Sequence, residues 1–322
     1  MMRGETRYGI AVRREDQEVI LLSAPLTGLA VKSGWHKWPL IRGCYMLVES
    51  LGLGMKALQF SADILTQEEA EKTRAAGGPE AAQEPAAPLG KLIMGLSTVL
   101  ALVMGLGLFV LLPTAVPRWI WGPRVIGLGV ESILFNVVEG GVRLVVIVLY
   151  ILCISLMKYV RRVFQYHGAE HATINCFEAG DELTVDNCLR HSPLHPRCGT
   201  AFLLVVIVVK IILGCFLGWP PILLRMLLRL ALLPVVAAVA YEILRWAGRH
   251  RHSWFATLLA GPGLALQVLT TRRPDRAQIE TALYALHAAA GDEIPLPAGF
   301  AAPRQVDAKL QPVLEVTDHG PA

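Results

Sequence analysis

Long apolar runs restrict the fold of this chain more than any other feature of its sequence. Residues 92–112 contain no charged side chain, and a helix of about 20 apolar residues can cross a hydrocarbon core roughly 30 Å thick. Three more runs predict spans, and a fifth, interrupted by Gly261-Pro262-Gly263, predicts a re-entrant or interfacial segment, with a fifth span as the alternative. These four later runs are residues 136–157, 200–218, 223–244 and 254–271.

The composition supports this prediction. Hydrophobic residues make up 54% of the 322 residues and charged residues 17%, against roughly 25% charged in an average soluble domain. The net charge of +4 is small, and the basic residues lie beside apolar runs, which indicates a lipid bilayer and not nucleic acid as the main partner. Six cysteines in a chain of this length do not suggest a disulfide framework, so we expect them to be reduced.

The fold class predicted is therefore mainly α: a polytopic membrane helix bundle of four spans, or five, with a small N-terminal β-containing cytoplasmic unit. Two short β-rich runs separated by a polar turn predict the β unit, and apolar residues at helical spacing predict an amphipathic helix after it. The domains expected are a β unit plus helix at 1–65, a flexible linker at 66–90, the bundle at 91–290 with a site-bearing loop at 158–199, and an extended tail at 291–322.

Basic residues near the helix ends predict the orientation. Lys158, Arg161 and Arg162 follow the second run, whereas the turn at 218–221 carries no Lys or Arg. With four spans, the N-terminus, the 158–199 loop and the C-terminus are expected on the cytoplasmic side of the cell membrane.

Six ionisable residues fall inside or at the edges of the apolar runs, and two of them, Arg225 and Arg229, are expected to extend to the membrane surface. Glu139 and Arg143 stand four residues apart and can pair on one helix face. Lys210 lies mid-span and Glu242 near the end of the fourth run, so either Lys210 pairs with one of the two glutamates or it serves a function. A small transporter is one hypothesis that these residues support.

The strongest chemical signal is an H-x-x-E-H pattern formed by His167, Glu170 and His171. On a helix the two imidazoles lie one turn apart and can share a metal ion, with Glu170 near enough to act as a general base. The alternatives are two solvated histidines on a juxtamembrane helix, or a structural metal that ties down the loop.

A second cluster lies just before the third run, at the same predicted membrane surface. His195 or Cys198 could supply the third ligand of a tetrahedral site with an open position, and zinc suits such mixed ligation. Arg197 could orient an anionic substrate group, and Glu178 is a candidate second-shell or substrate residue.

Together these patterns favour a metal-dependent hydrolase on the cytoplasmic face, with Glu170 as the catalytic base. The alternatives are a non-enzymatic membrane scaffold or regulator with a structural metal, and a transporter. Peptide, lipid and cell-wall precursor substrates are not distinguished by the sequence.

Several segments together resemble a known bacterial family. They are YHGAEH at 166–171, LTV at 183–185, HPRCGT at 195–200, MMRG at 1–4, AVR at 11–13, RG at 42–43, YE at 241–242 and PGL at 262–264, with Gln267 and TT at 270–271. This pattern resembles the YqhQ-like membrane proteins of unknown function, often described as predicted metal-dependent enzymes. The resemblance implies a membrane location and a metal, but no substrate. Family members usually have Lys where this chain has Ala172, and a Gly-rich stretch before MMRG, so we expect either a late start or the loss of that turn.

Overall fold

The computed structural model is mainly helical, with a small sheet formed largely by the N-terminal residues. It describes residues 1–26, 38, 41–75, 88–122, 129–196, 198–250, 253–297 and 299–307. The strands are β1 (Met2–Arg3), β2 (Arg7–Arg13), β3 (Val19–Pro25) and β4 (Arg304–Gln305). The first helices are α1 (Ile41–Ala75), α2 (Pro88–Leu106), α3 (Leu112–Trp121), α4 (Val130–Ser155) and α5 (Lys158–Ala179). The others are α6 (Val185–Arg190), α7 (Gly199–Cys215), α8 (Ile222–Arg249), α9 (Trp254–Thr270) and α10 (Arg276–Ala290).

The sheet has the strand order β1-β2-β3-β4, and the β2–β3 hairpin predicted from the sequence is confirmed. Alternate residues of β3 face opposite sides, as the pleat requires. Ile20 and Leu22 pack towards α1, and Leu21 packs towards α10. The sheet is therefore covered by a helix on each face.

The C-terminal segment differs from the extended tail that the sequence predicted. β4 pairs in parallel with β3, and Val306 is buried in the cluster between the sheet and α1. Burial of this valine and the backbone pairing hold the segment on the sheet, and neither is visible in a short polar sequence. Residues 308–322 lie outside the described part of the chain.

Helix α1 is longer than predicted, and its last turns occupy the start of the expected linker. Glu68 is buried and accepts a hydrogen bond from the backbone N–H of Glu15, while Glu71 pairs with Arg14. These contacts with the β-hairpin stabilise helix in a segment that lacks apolar residues of its own. The rest of the expected linker, residues 76–87, lies outside the described residues.

The first apolar helix does not end before Pro113, where the sequence predicted it to end. A π-helical turn at Gly107–Leu111 follows α2, and α3 continues from it with Pro113 in its first turn. Pro113 has no N–H to donate to the Phe109 carbonyl oxygen four residues earlier, which instead accepts from Arg143 Nε at 3.1 Å. The continuous apolar segment therefore reaches Trp121.

Three helical segments in the described part of the chain are long and apolar enough to cross a membrane: Leu96–Trp121, Val130–Ser155 and Leu223–Arg249. Few of their residues are buried within the chain, and so large an apolar surface is compatible with lipid and unfavourable in water. The predicted third span is the shorter helix α7. The predicted re-entrant segment is the single short helix α9, which continues through Pro262. Three described segments are therefore long enough to span a membrane. The four or five spans expected from the sequence stay a prediction.

The segment predicted as a loop at 158–199 consists largely of helices. An extended residue, Met157, separates α4 from α5, so the histidines lie on a helix of their own. Helix α5 packs on α10 through Ala169, Ala172 and Cys176. Helix α10 thus lies between the sheet and the helix that carries the H-x-x-E-H pattern.

Candidate metal site

Helix α5 places His167 and His171 one turn apart, with their ring centroids separated by 4.4 Å. The buried alanines 169 and 172 face α10, which leaves the two imidazoles on a different side of the helix. There they meet the segment that leads into α7 and the end of α9. The two imidazoles therefore lie side by side on one helix, as their spacing predicts.

Gly168, between the two histidines, lies directly against the backbone that follows α9. A Cβ atom built on it would overlap the carbonyl oxygen of Arg272 and lie 3.3 Å from the Cβ of Pro193. The Arg272 N–H also donates to the Phe164 carbonyl oxygen at 2.9 Å. A residue without a side chain at 168 therefore sets the distance between α5 and the rest of the site.

Backbone carbonyl groups fix the orientation of both imidazoles. His167 Nδ1 lies 2.9 Å from the Thr270 carbonyl oxygen, and His171 Nδ1 lies 2.8 Å from that of Pro193. A carbonyl oxygen only accepts hydrogen bonds, so each Nδ1 carries a proton and each Nε2 remains as the potential ligand atom. This is the arrangement in which metal-binding histidines are commonly held.

Cys198 supplies a sulfur atom to the same point. It is the N-cap residue of α7, and its Sγ lies 3.3 Å from His167 Nε2. One ligand atom from each of His167, His171 and Cys198 lies within 4.8 Å of the others. Residues from both clusters identified in the sequence therefore lie together.

The environment of Cys198 favours a thiolate. Burial on its own would raise the pKa of Cys198, but hydrogen bonds with His167 and His171 outweigh it and lower the pKa to about 5. Burial acts to lower the pKa of His167, and the contact with Cys198 overcomes this and raises it. Since thiolates are both metal ligands and nucleophiles, the side chain is prepared for either role.

The donor set fits a zinc ion. Two imidazole nitrogens and a thiolate are preferred zinc ligands, bound at about 2.0–2.3 Å, so donors on one tetrahedral ion lie roughly 3.5 Å apart. The separation of 3.3 Å between His167 Nε2 and Cys198 Sγ agrees with this. A third observation is a mismatch of hydrogen-bonding groups: without a metal, the lone pairs of two Nε2 atoms face one sulfur, which donates one proton as a thiol and none as a thiolate. A cation between them satisfies all three atoms.

His195, predicted as an alternative ligand, lies beside this cluster and not in it. Its ring centroid is 5.9 Å from that of His171, and its Nε2 lies 3.5 Å from Glu178 Oε1. The buried side chain of Gln267 accepts from the His195 N–H at 2.9 Å and donates to its carbonyl oxygen at 2.8 Å. These bonds hold the segment before Cys198. Arg197, predicted to bind an anion, lies outside the described residues.

Glu170, the predicted general base, lies at the partly exposed edge of the site. Its carboxylate is close enough to His167 to affect the titration of that ring. In the structure it accepts a hydrogen bond at 2.5 Å from the amino group of Met1. The side chain is thus near the cluster, and its catalytic role remains a prediction.

Gln267 and Gly168 were not identified as functional from the sequence. Gln267 is fully buried. It is the one polar side chain in the apolar sequence of residues 258–269. That isolation is a usable signal, because a polar group in such a run needs a partner.

A second group of potential ligands lies at the far end of α5. Cys176, Asp181 and His191 bring their ligand atoms within 4.8 Å of one another, and His191 Nε2 lies 2.8 Å from Asp181. Burial raises the pKa of Cys176, and that of its buried neighbour Cys188 to about 12. Protonated thiols are poor ligands, so the cluster at Cys198 is the better metal site.

The charged residues of the apolar helices are partly arranged as predicted. Glu139 pairs with Arg143 at 2.7 Å, which confirms the expected i,i+4 pair. Glu139 also binds Arg229, through Nη2 and Oε2 at 2.7 Å. The expected partner Lys210 is not bonded to it in the described residues, and Glu242 instead pairs with Arg42 of α1.

Arg225 and Arg229 were predicted to extend to the membrane surface, and this is wrong. Arg225 is 3% exposed and stacks on Trp219, with its guanidinium carbon 4.0 Å from the ring centroid. Trp219 is also fully buried. Both arginines turn into the bundle, where Trp219 and Glu139 offer them an aromatic face and a negative charge.

Comparisons with known proteins add a family but no activity. A family of proteins of unknown function, DUF1385, matches residues 38–292. The uncharacterised protein YqhQ of Bacillus subtilis (strain 168) is 30% identical over 286 residues, which cover 88% of this chain and 86% of that protein. No solved structure matches the chain.

Proposed function

The chain belongs to the DUF1385 family of unknown function, and we propose that it is a membrane-bound, zinc-dependent hydrolase. The observation that carries this proposal is the convergence of His167, His171 and Cys198 on one point. Three protein ligands leave one position of a tetrahedral ion open, and an open position is typical of catalytic zinc sites. A structural site normally fills all four positions with protein side chains.

The proposed location is the cytoplasmic face of the cell membrane, with the chain crossing several times. The apolar surfaces of the three long helices support the membrane setting. The basic residues that follow α4 support the cytoplasmic side, because Lys and Arg are enriched in cytoplasmic loops. The N-terminal sheet and α10 would then cover the site from the cytoplasm.

In this proposal, different residues of the site bind the metal and transfer the proton. His167, His171 and Cys198 would hold zinc, which supplies Lewis-acid chemistry at neutral pH when bound. Glu170 would accept the proton of an attacking water molecule. Peptide, lipid and cell-wall precursor substrates all fit a hydrolase at this position, so the substrate is left open.

Metal content of the purified protein tests the proposal. We expect about one equivalent of zinc per chain for the detergent-solubilised protein, measured by elemental mass spectrometry after reconstitution under reducing conditions. The variants H171A and C198A should lose it. The matched controls H250A and C153A remove a histidine and a cysteine at exposed positions outside the site, and should retain it.

Glu170→Gln separates a catalytic from a structural metal. The variant should bind zinc as the wild type does and lose turnover in a screen of peptide, ester and lipid-linked substrates. Zinc bound in both proteins with equal turnover would remove Glu170 from the mechanism. Folded wild type that binds no zinc would refute the hydrolase proposal itself.

The thiolate at Cys198 favours a second candidate, a cysteine nucleophile activated by His167. In that case the metal-free wild type would react with iodoacetamide at Cys198 at neutral pH, faster than a thiol with an ordinary pKa. Zinc would then slow the alkylation only if it occupies the same sulfur. Rapid alkylation that zinc leaves unchanged would support the nucleophile and exclude the metal.

A further inference from the structure

Several buried hydrogen-bond donors lie unsatisfied around the start of α8. Both terminal nitrogens of Arg225 and the indole Nε1 of Trp219 have no partner in the described part of the chain, and their atoms are buried. Nε of Arg118 is likewise buried and has no hydrogen-bond partner there. Buried donors without acceptors are costly, because each forfeits its hydrogen bonds to water. All of these atoms are donors, so the group that would satisfy them is an acceptor.

The charges of the same region point the same way. Arg118, Arg143 and Arg229 lie near enough to Arg225 to affect its electrostatics, and the counter-charge among its neighbours is Glu139. Glu139 is already shared between Arg143 and Arg229. Positive charge therefore exceeds negative charge inside the bundle, where water does not screen it.

Lys210 adds a further positive charge. It lines a small cavity with Asn136, Glu139, Arg143 and Arg229, and makes no hydrogen bond or ion pair in the residues that the structure describes.

The undescribed segment between α3 and α4 adds no negative charge. Residues 123–128 read PRVIGL and contain a base and no acid. Between residues 199 and 241 the sequence contains no Asp or Glu at all. The missing negative charge thus has to come from outside these parts of the chain.

The position separates this cluster from the metal site. Cys198 caps one end of α7, and Trp219 follows the other end. A helix of 17 residues is about 25 Å long. The guanidinium groups therefore lie across the bundle from the cysteine, and no ligand of one site contacts the other.

We infer that this end of the bundle, between α3, α4, α7 and α8, binds a phosphate-type oxyanion on Arg225 and Trp219. A guanidinium fork matches the oxygens of phosphate with two parallel hydrogen bonds. The indole N–H adds a third donor, and the neighbouring arginines and Lys210 supply charge. The phosphate is either a free ion or the head group of a lipid, since both present the same oxygens.

Binding of inorganic phosphate and pyrophosphate to the delipidated, detergent-solubilised chain tests the free-ion form, by calorimetry with chloride as the competing anion. Native mass spectrometry of the protein in phosphatidylglycerol nanodiscs tests the lipid form, through the number of phospholipids retained. We expect one or the other to bind, and Arg225→Gln to weaken it at least about tenfold, because a buried charged donor is lost. Arg249→Gln, at the exposed other end of α8, should bind as the wild type does.

Trp219→Phe removes a single donor and keeps the aromatic ring, so it guards against a folding defect in Arg225→Gln. It should weaken binding by a smaller factor while the thermal midpoint without phosphate stays near that of the wild type. Saturable binding of free phosphate that these variants weaken identifies an ion site, and selective loss of a retained phospholipid identifies a lipid site. Wild type that binds neither, or variants that bind as it does, would overturn the inference.

Discussion

Gly168→Ala is the substitution that most directly tests how the metal site is assembled. The added methyl group would overlap the Arg272 carbonyl oxygen and lie 3.1 Å from its carbon. The obstacle is backbone and not a flexible side-chain end, so α5 or the segment after α9 must move. Overpacking of this kind costs about 1–3 kcal/mol, while alanine in a helix gains up to about 1 kcal/mol over glycine.

Gly54→Ala is the matched control. Gly54 is also helical, in α1, and nothing lies within 4 Å of the position of an added Cβ. This variant should gain about 0.5–1 kcal/mol of unfolding free energy. The difference between the two variants isolates the clash at Gly168, about 1–3 kcal/mol.

Zinc affinity gives the second measurement on the same two proteins. A shift of α5 moves His167 and His171 relative to Cys198, and disturbed ligand support typically costs about 10–100-fold in metal affinity. Competition with a chromogenic chelator measures this, beside thermal unfolding in detergent. If Gly168→Ala stabilised the protein as much as Gly54→Ala and left zinc affinity unchanged, the close packing of α5 on the Arg272 backbone would be refuted.

Two further substitutions test buried polar contacts. Gln267→Leu should lower the unfolding free energy by about 2–6 kcal/mol, since the two His195 backbone groups lose buried partners at about 1–3 kcal/mol each. It should also weaken zinc binding, and an unchanged thermal midpoint would contradict the Gln267 clamp. Glu139→Gln removes a buried carboxylate shared by two partly buried arginines and should cost about 3–5 kcal/mol. Glu131→Gln, at an exposed position in the first turn of the same helix, should change the thermal midpoint little, and equal effects of the two would refute the buried pairing.

Local patterns of the sequence were sufficient for the strands and for the pairing within a single helix. The β2–β3 hairpin follows from two apolar runs around a polar turn. The pair of Glu139 and Arg143, and the shared face of His167 and His171, follow from helical spacing of four residues. Each of these contacts spans few residues, so the helix or hairpin geometry fixes it.

Contacts between distant segments could not be predicted in the same way. Whether His195 or Cys198 completes the metal site depends on the two hydrogen bonds of Gln267, which stands 72 residues further along the chain. Arg229 reaches Glu139 across 90 residues. Spacing along the sequence contains no information on which of several basic residues reaches a given acid, because the packing of α4 and α8 on α7 decides it.

Buried polar residues in or beside apolar helices occur at both the metal site and the Arg225 cluster. Whether protein groups satisfy their hydrogen bonds distinguishes structural residues from functional ones. Gln267 and Glu139 are buried and fully engaged with protein partners, so their cost of burial is offset and their role is to hold the fold. Arg225 is buried beside an aromatic ring with its terminal nitrogens unsatisfied in the described chain, and Cys198, whose pKa is lowered to about 5, faces two imidazoles. Burial of such groups is costly without a ligand. Arg225 would bind an anion and Cys198 a cation. The two groups lie at opposite ends of α7, so a substitution can abolish binding at one without abolishing binding at the other.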